Sequence, residues 1–115
     1  MTVGELIFEL ESFLSEDRKN RYKHHVFIND GYDICDYTIN SVYYRNREVV
    51  LQSNETDNGN WDLIAPYVLH CLKFFKKDLT VCIQVSDEDL DYEYFDTIKC
   101  YVEGFERFVI ACESR

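Results

Sequence analysis

Glycine and proline are scarce, four and one in 115 residues, which leaves no room for a Gly- or Pro-rich linker or a low-complexity segment. CxxC spacing is missing too. The five cysteines (Cys35, Cys71, Cys82, Cys100 and Cys112) are odd in number and lie mostly inside apolar runs. A thiol there behaves as a small hydrophobe, which argues against a disulfide framework and for a reducing, intracellular setting. Basic residues are few: 12 Lys and Arg against 22 Asp and Glu, a net charge of -10. A field of that sign repels nucleic acid and anionic lipid and favours encounters with basic partners. The opening MTVGELIFELESF has no basic lead and is interrupted by Glu5, Glu9 and Glu11. It therefore reads as neither a signal peptide nor a membrane span, and the expectation is a soluble cytoplasmic protein.

What is present is a core-forming composition. Hydrophobic residues make up 46% and aromatics 16%, enough for a folded globule despite the charge. The length predicts one domain spanning 1–115. The acidity is spread evenly, with 11 acids and 6 bases in Met1–Asp57 and the same numbers in Asn58–Arg115.

Val3, Leu6, Ile7, Leu10, Phe13 and Leu14 recur at helical spacing, and Thr2 with Glu5 makes a capping box, so 2–14 predicts a helix. The basic 15–23 stretch (SEDRKNRYK) reads as a solvated connection. Strands are predicted over 24–29, 36–44 and 47–52, with turn signals at Asp30-Gly31 and Arg45-Asn46 and a loop over 53–60. A second helix is predicted over 61–76, with Asn60 as N-cap and Pro66 tolerable only near the first turn. Strands over 79–85, 95–102 and 107–112 follow.

The second half echoes the first. The stripe from Val3 to Leu14 is matched by Ile64, Tyr67, Val68, Cys71, Phe74 and Phe75. Thr38-Ile39 is matched by Thr97-Ile98, and Val49-Val50-Leu51 by Phe108-Val109-Ile110 at the same spacing. The predicted fold is α+β: a tandem α-β-β-β repeat, with units of approximately 1–57 and 58–115 and two helices packed on antiparallel sheet.

The chemistry gathers in one tract. Ser86 to Asp96 holds six carboxylates and three aromatic rings without a Lys or Arg. Such a run cannot be core, because a buried unpaired carboxylate costs several kcal/mol. It faces water, a cation or a basic partner. Asp87, Glu88, Asp89, Asp91, Glu93 and Asp96 can stand in for phosphates, while Tyr92 and Tyr94 add rigid contact area. Glu55, Asp57 and Asp62 form a second acidic patch. A calcium helix–loop–helix is excluded, since Tyr92 and Ile98 fall where it needs Gly and Glu.

Other constellations are weaker. His24 and His25 point to opposite faces of a strand, and His70-Cys71 lacks further ligands at zinc-like spacing. No cysteine sits in the electropositive setting that nucleophilic catalysis needs. Trp61, Tyr67, Phe74 and Phe75 read as core rather than as a ligand cage. No metal, cofactor or catalytic residue is expected.

The pattern TVGELIFELESF, an apolar strand at Val26-Phe27-Ile28, a "YDI…TINSV" strand and a VVL strand resembles small bacteriophage and prophage proteins. These open with a "T-V-x-E-L-I-x-x-L" helix and continue into a three-stranded meander. Proteins of this kind include anti-CRISPR and other anti-defence inhibitors, which implies a bacterial host cytoplasm and inhibition of a nucleic-acid-handling target. The resemblance assigns no functional residues. Two readings stand: an inhibitor that occludes the basic surface of a nuclease or other nucleic-acid-binding effector, and a structural protein acting as a homodimer. An immunity protein against a basic nuclease toxin rests on the same physics as the first.

Overall fold

The computed structural model describes residues 1–16, 24–31, 34–54, 62–86, 92–104 and 107–115, with the backbone alone for 34–37 and 54. It is an α+β fold in the order α1 (Val3–Ser15), β1 (Val26–Asn29), β2 (Ile34–Arg45), β3 (Glu48–Asn54), α2 (Ala65–Leu72), β4 (Thr80–Ser86), β5 (Tyr92–Glu103) and β6 (Arg107–Ser114).

Helix α1 begins where the capping box places it. Thr2 Oγ1 accepts from the Glu5 backbone N–H and the Glu5 carboxylate accepts from the Thr2 N–H, each at 3.2 Å. Two of the donors a helix start leaves unpaired are thereby satisfied. The Thr2 N–H bond also holds the Glu5 carboxyl below its ordinary range. Val3, Leu6, Ile7, Leu10 and Phe13 form the buried stripe.

Helix α2 is shorter than the predicted 61–76, and its phase differs. Its lead-in residues are fixed by bonds to the first half: Leu63 N–H to Ile39 O at 2.8 Å and Ala65 N–H to His24 O at 2.7 Å. Pro66 then falls in the first turn, where its missing N–H costs nothing. The buried face is Ala65, Val68 and Leu72, with Leu69 and Phe75 packed against the core. Tyr67 and Phe74, expected inside, are 60% and 76% exposed. Apolar residues surround this helix nearly all round, so period alone does not choose a face; the anchored start does.

The six strands close into a barrel in chain order, β6 returning to β1. Four seams are antiparallel. The other two, β3 with β4 and β1 with β6, are parallel, so the sheet is mixed rather than wholly antiparallel. The parallel seams are where a helix crosses over, or where the chain closes on itself. Strand β4 is buried on both faces from Val81 to Ser86, as its near-continuous apolar run requires. The long strands β2 and β5 each carry a register shift, between Ile39 and Ser41 and between Thr97 and Lys99. These bulges bend both strands. They also offset the Thr38-Ile39 and Thr97-Ile98 match, for Ile39 is fully buried while Ile98 is 52% exposed.

The same connections occur in both halves, always across to the other half. Thr2 bridges Thr80, and Ile64 bridges His25. The Val3 N–H bonds Leu79 O as Ala65 N–H bonds His24 O. The Met1 amine donates to Thr97 O as Leu63 N–H donates to Ile39 O. One core receives side chains from both helices and all six strands, among them Leu6, Leu10, Ile28, Ile39, Leu51, Leu72, Ile83 and Ile110. Each such side chain stabilises by about 1.5–3 kcal/mol on leaving water. Phe13 and Phe108 meet in it with ring centroids 5.3 Å apart. Among the described residues no helix is long and apolar enough to cross a membrane.

Candidate binding surface

Strand β4 leads into the acidic tract and β5 leads out of it. Their ladder runs from Cys82 with Asp96 to Ser86 with Tyr92. Residues 87–91, including Asp87, Glu88, Asp89 and Asp91, lie outside the described residues, as do Glu55 and Asp57. The remaining candidate binding residues of the tract, Tyr92, Glu93, Tyr94 and Asp96, belong to β5, which starts three residues earlier than predicted. The alternating aromatic and acidic residues there pair with Val85 and Gln84 instead of forming an open loop.

Alternation along β5 sends these side chains to opposite faces. Tyr92, Tyr94 and Asp96 share the face turned away from the core, and Phe95 and Thr97 enter the core. Tyr92 is 56% exposed at the foot of the tract. Glu93 is exposed and accepts from Ser114 Oγ at 3.2 Å. Asp96 is exposed and accepts from Arg115 Nε at 2.8 Å. Tyr94 is half-buried, its hydroxyl taking bonds from Arg45 and from Gln84 Nε2, the latter at 3.0 Å. The Arg45 guanidinium lies 5.2 Å from its ring centroid. Asp62, from the second patch, is half-buried and accepts from the buried Thr38 hydroxyl.

The sequence reading missed what surrounds Tyr94. Gln84 is almost fully buried, accepting from the Tyr43 hydroxyl at 2.5 Å while donating to Tyr94. Arg115 bonds Glu48 as well as Asp96. Arg45, Asn46, Glu48, Val50, Cys82, Tyr94 and Arg115 line a cavity of about 110 Å³. Residues of β2, β3, β4 and β5 build it with Asn46 of the β2–β3 turn and Arg115 just after β6, so no local spacing announces it. The polar pair has a counterpart on the far side of the barrel, where Asn29 Nδ2 donates to the Tyr101 hydroxyl at 2.8 Å.

The groups in this cavity are chemically quiet. Burial, reinforced by Glu48, pushes the Cys82 thiol up to about 11, so it stays protonated at neutral pH. Burial likewise raises the Tyr43 phenol. The hydrogen bond to Glu48 holds Arg115 firmly charged. Among the described residues no three His, Cys, Asp or Glu side chains gather as metal ligands. The arrangement can pair charges and hold rings in place. Searched against family models, curated proteins and solved structures, the chain matches none.

Proposed function

We propose that this is a non-catalytic acidic binding protein that occludes a basic, nucleic-acid-binding surface of a protein partner, in the manner of the anti-defence, anti-CRISPR-type inhibitors its opening pattern resembles. The observation that carries the reading is the β4–β5 connection. Between the paired residues Ser86 and Tyr92 stand five residues, four of them acidic, with no cation among them. Among the described residues, Arg45 and Arg115 meet this hairpin at Tyr94 and Asp96. In this reading Asp87, Glu88, Asp89 and Asp91 meet an outside partner. Its Arg and Lys side chains, which otherwise hold phosphates, pair with these carboxylates, and Tyr92 packs beside them. Glu93 extends the surface, and Glu55, Asp57 and Asp62 make a second patch. The partner is a nuclease or another nucleic-acid-binding effector; the chain itself binds neither nucleic acid nor membrane.

The same reading makes the chain one domain of two duplicated units, approximately 1–57 and 58–115, working in a bacterial cytoplasm. The paired contacts Thr2–Thr80 and His25–Ile64 support duplication, and the free thiols of Cys71, Cys82 and Cys100 suit a reducing compartment.

The test is affinity capture from bacterial lysate at low salt, followed by a salt gradient. A basic nuclease or nucleic-acid-binding complex should leave at moderate ionic strength, because exposed charge pairs are screened over about 10 Å at 0.1 M salt. The variant D87K/D89K/D91K should retain nothing while keeping its unfolding midpoint. Retention that survives the charge reversal would overturn the proposal.

A further inference from the structure

Among the described residues the barrel is closed, because β6 pairs with β1. Association by strand addition is therefore closed off, and the helix layer is the surface to consider. Helices α1 and α2 cross side by side, with Glu11 Oε1 and Lys73 Nζ 3.7 Å apart at the crossing. Their outward sides carry large apolar side chains: Phe8 is 69% exposed, Tyr67 60% and Phe74 76%. The buried stripe of α1 runs through Leu6, Leu10 and Phe13, and helical geometry puts Phe8 nearly opposite it. The His70 ring stands edge-on to Phe74, 5.1 Å between centroids, and steadies that ring in solvent. Exposed aromatics at this density mark an interaction surface.

Charge decides what covers it. The exposed charges of α1 and its C-cap are all acidic: Glu5, Glu9, Glu11 and Glu16. Helix α2 and the turn after it carry Lys73, Lys76 and Lys77 against the single acid Asp78. A two-fold axis running between the helices and along them lays α1 of one copy over α2 of the other. Acids then meet lysines twice, with Phe8, Tyr67 and Phe74 between them; the alternative axis sets α1 on α1 and places like charges together. The surface is self-complementary in one arrangement. We infer that the α1–α2 face is a homodimer interface, in which the acidic α1 of each copy lies on the basic end of α2 of the other.

The dimer should be weak. Helix α1 spans 13 residues, roughly 20 Å at about 1.5 Å per residue, so the face falls below the roughly 800 Å² per partner of a standard interface. A dissociation constant in the region of 1–100 μM is expected. Sedimentation equilibrium on the full chain, up to about 1 mM, tests it. Wild type should pass from the 13.8 kDa monomer to twice that mass. F8S/F74S should weaken the dimer at least about tenfold, as loss of central aromatic contacts does. E11K/E16K and K73E/K76E should each stay monomeric alone, yet form a 1:1 heterodimer when mixed, because each then offers the sign the other lacks. All four positions of the charge variants are exposed, and matching circular dichroism and unfolding midpoints confirm the fold. A wild type monomeric throughout, a dimer indifferent to F8S/F74S, or mixing that restores nothing would each overturn the inference. The outcome is read separately from that of the acidic hairpin, since D87K/D89K/D91K changes no residue of α1 or α2.

Discussion

Cys82 and Cys100 show how a side chain's surroundings decide its chemistry. Burial is the main cause that pushes the first to about 11 and the second to about 12, and nearby Glu48 and Glu9 push the same way. In the unfolded chain both revert toward the ordinary thiol value of 9.0. The folded state thus holds protons that the unfolded state gives up first. The contribution to stability is complete below pH 9 and is lost as pH rises through the folded values. Tyr43, raised by burial from 10.0, acts in the same direction. Urea midpoints measured from neutral pH upward should be level to about pH 9 and then fall, and C82A/C100A should flatten that decline. A wild-type profile that stays level up to about pH 11 would refute this account of the two thiols.

At the scale of elements, the β2–β3 hairpin contains a correctable strain. Its two-residue turn holds Asn46 at φ 51° and Arg47 at φ 65°, the doubly left-handed geometry that matches strand twist. Asn adopts it readily; Arg does so at a cost of about 1 kcal/mol or somewhat more. Arg47 is exposed, so R47G should stabilise by about 0.5–1 kcal/mol, read as a higher urea midpoint at unchanged slope, while R47P should destabilise. The turn signal was legible in the sequence, one residue early, as were α1 with its cap and the existence of all six strands. Helix α2 was legible only as a helix. Its face was not, because Tyr67 and Phe74 are as apolar as Leu69 and Leu72, and the bonds of Leu63 and Ala65 to a distant strand set the phase. The one-residue slip between Ile39 and Ile98 has the same origin: a bulge is a property of two paired strands, and a single sequence shows only one. In the acidic tract, composition marked Tyr92 and Glu93 as surface. It did not show that Asp96 answers Arg115, or that Tyr94 sits between Arg45 and Gln84, since those partners come from other strands.

For the whole molecule, the question is why the two halves of the chain share one core. Beyond the Thr2–Glu5 cap, the described contacts that dock each helix start cross between halves: Thr2 to Thr80, Val3 to Leu79, Ile64 to His25, Ala65 to His24. Both parallel seams cross as well, β3 to β4 and β6 to β1. A half on its own would keep one helix and one antiparallel meander. It would lose the partner for each helix start and leave β1 and β3, or β4 and β6, as open edges with their apolar faces in water. An isolated meander of that size is marginal at best. Fragments 1–57 and 58–115 should therefore each lack a cooperative unfolding transition alone. Mixed in equal amounts, they should regain one, with the far-ultraviolet dichroism of the intact chain. Ile28→Asp in the first fragment should prevent recovery, because Ile28 is fully buried in the shared core and pairs with Ile110 across the seam. If either fragment unfolds cooperatively alone as a monomer, its helix must find an anchor within its own half. The crossed connections would then be incidental to folding rather than the reason one core needs both halves.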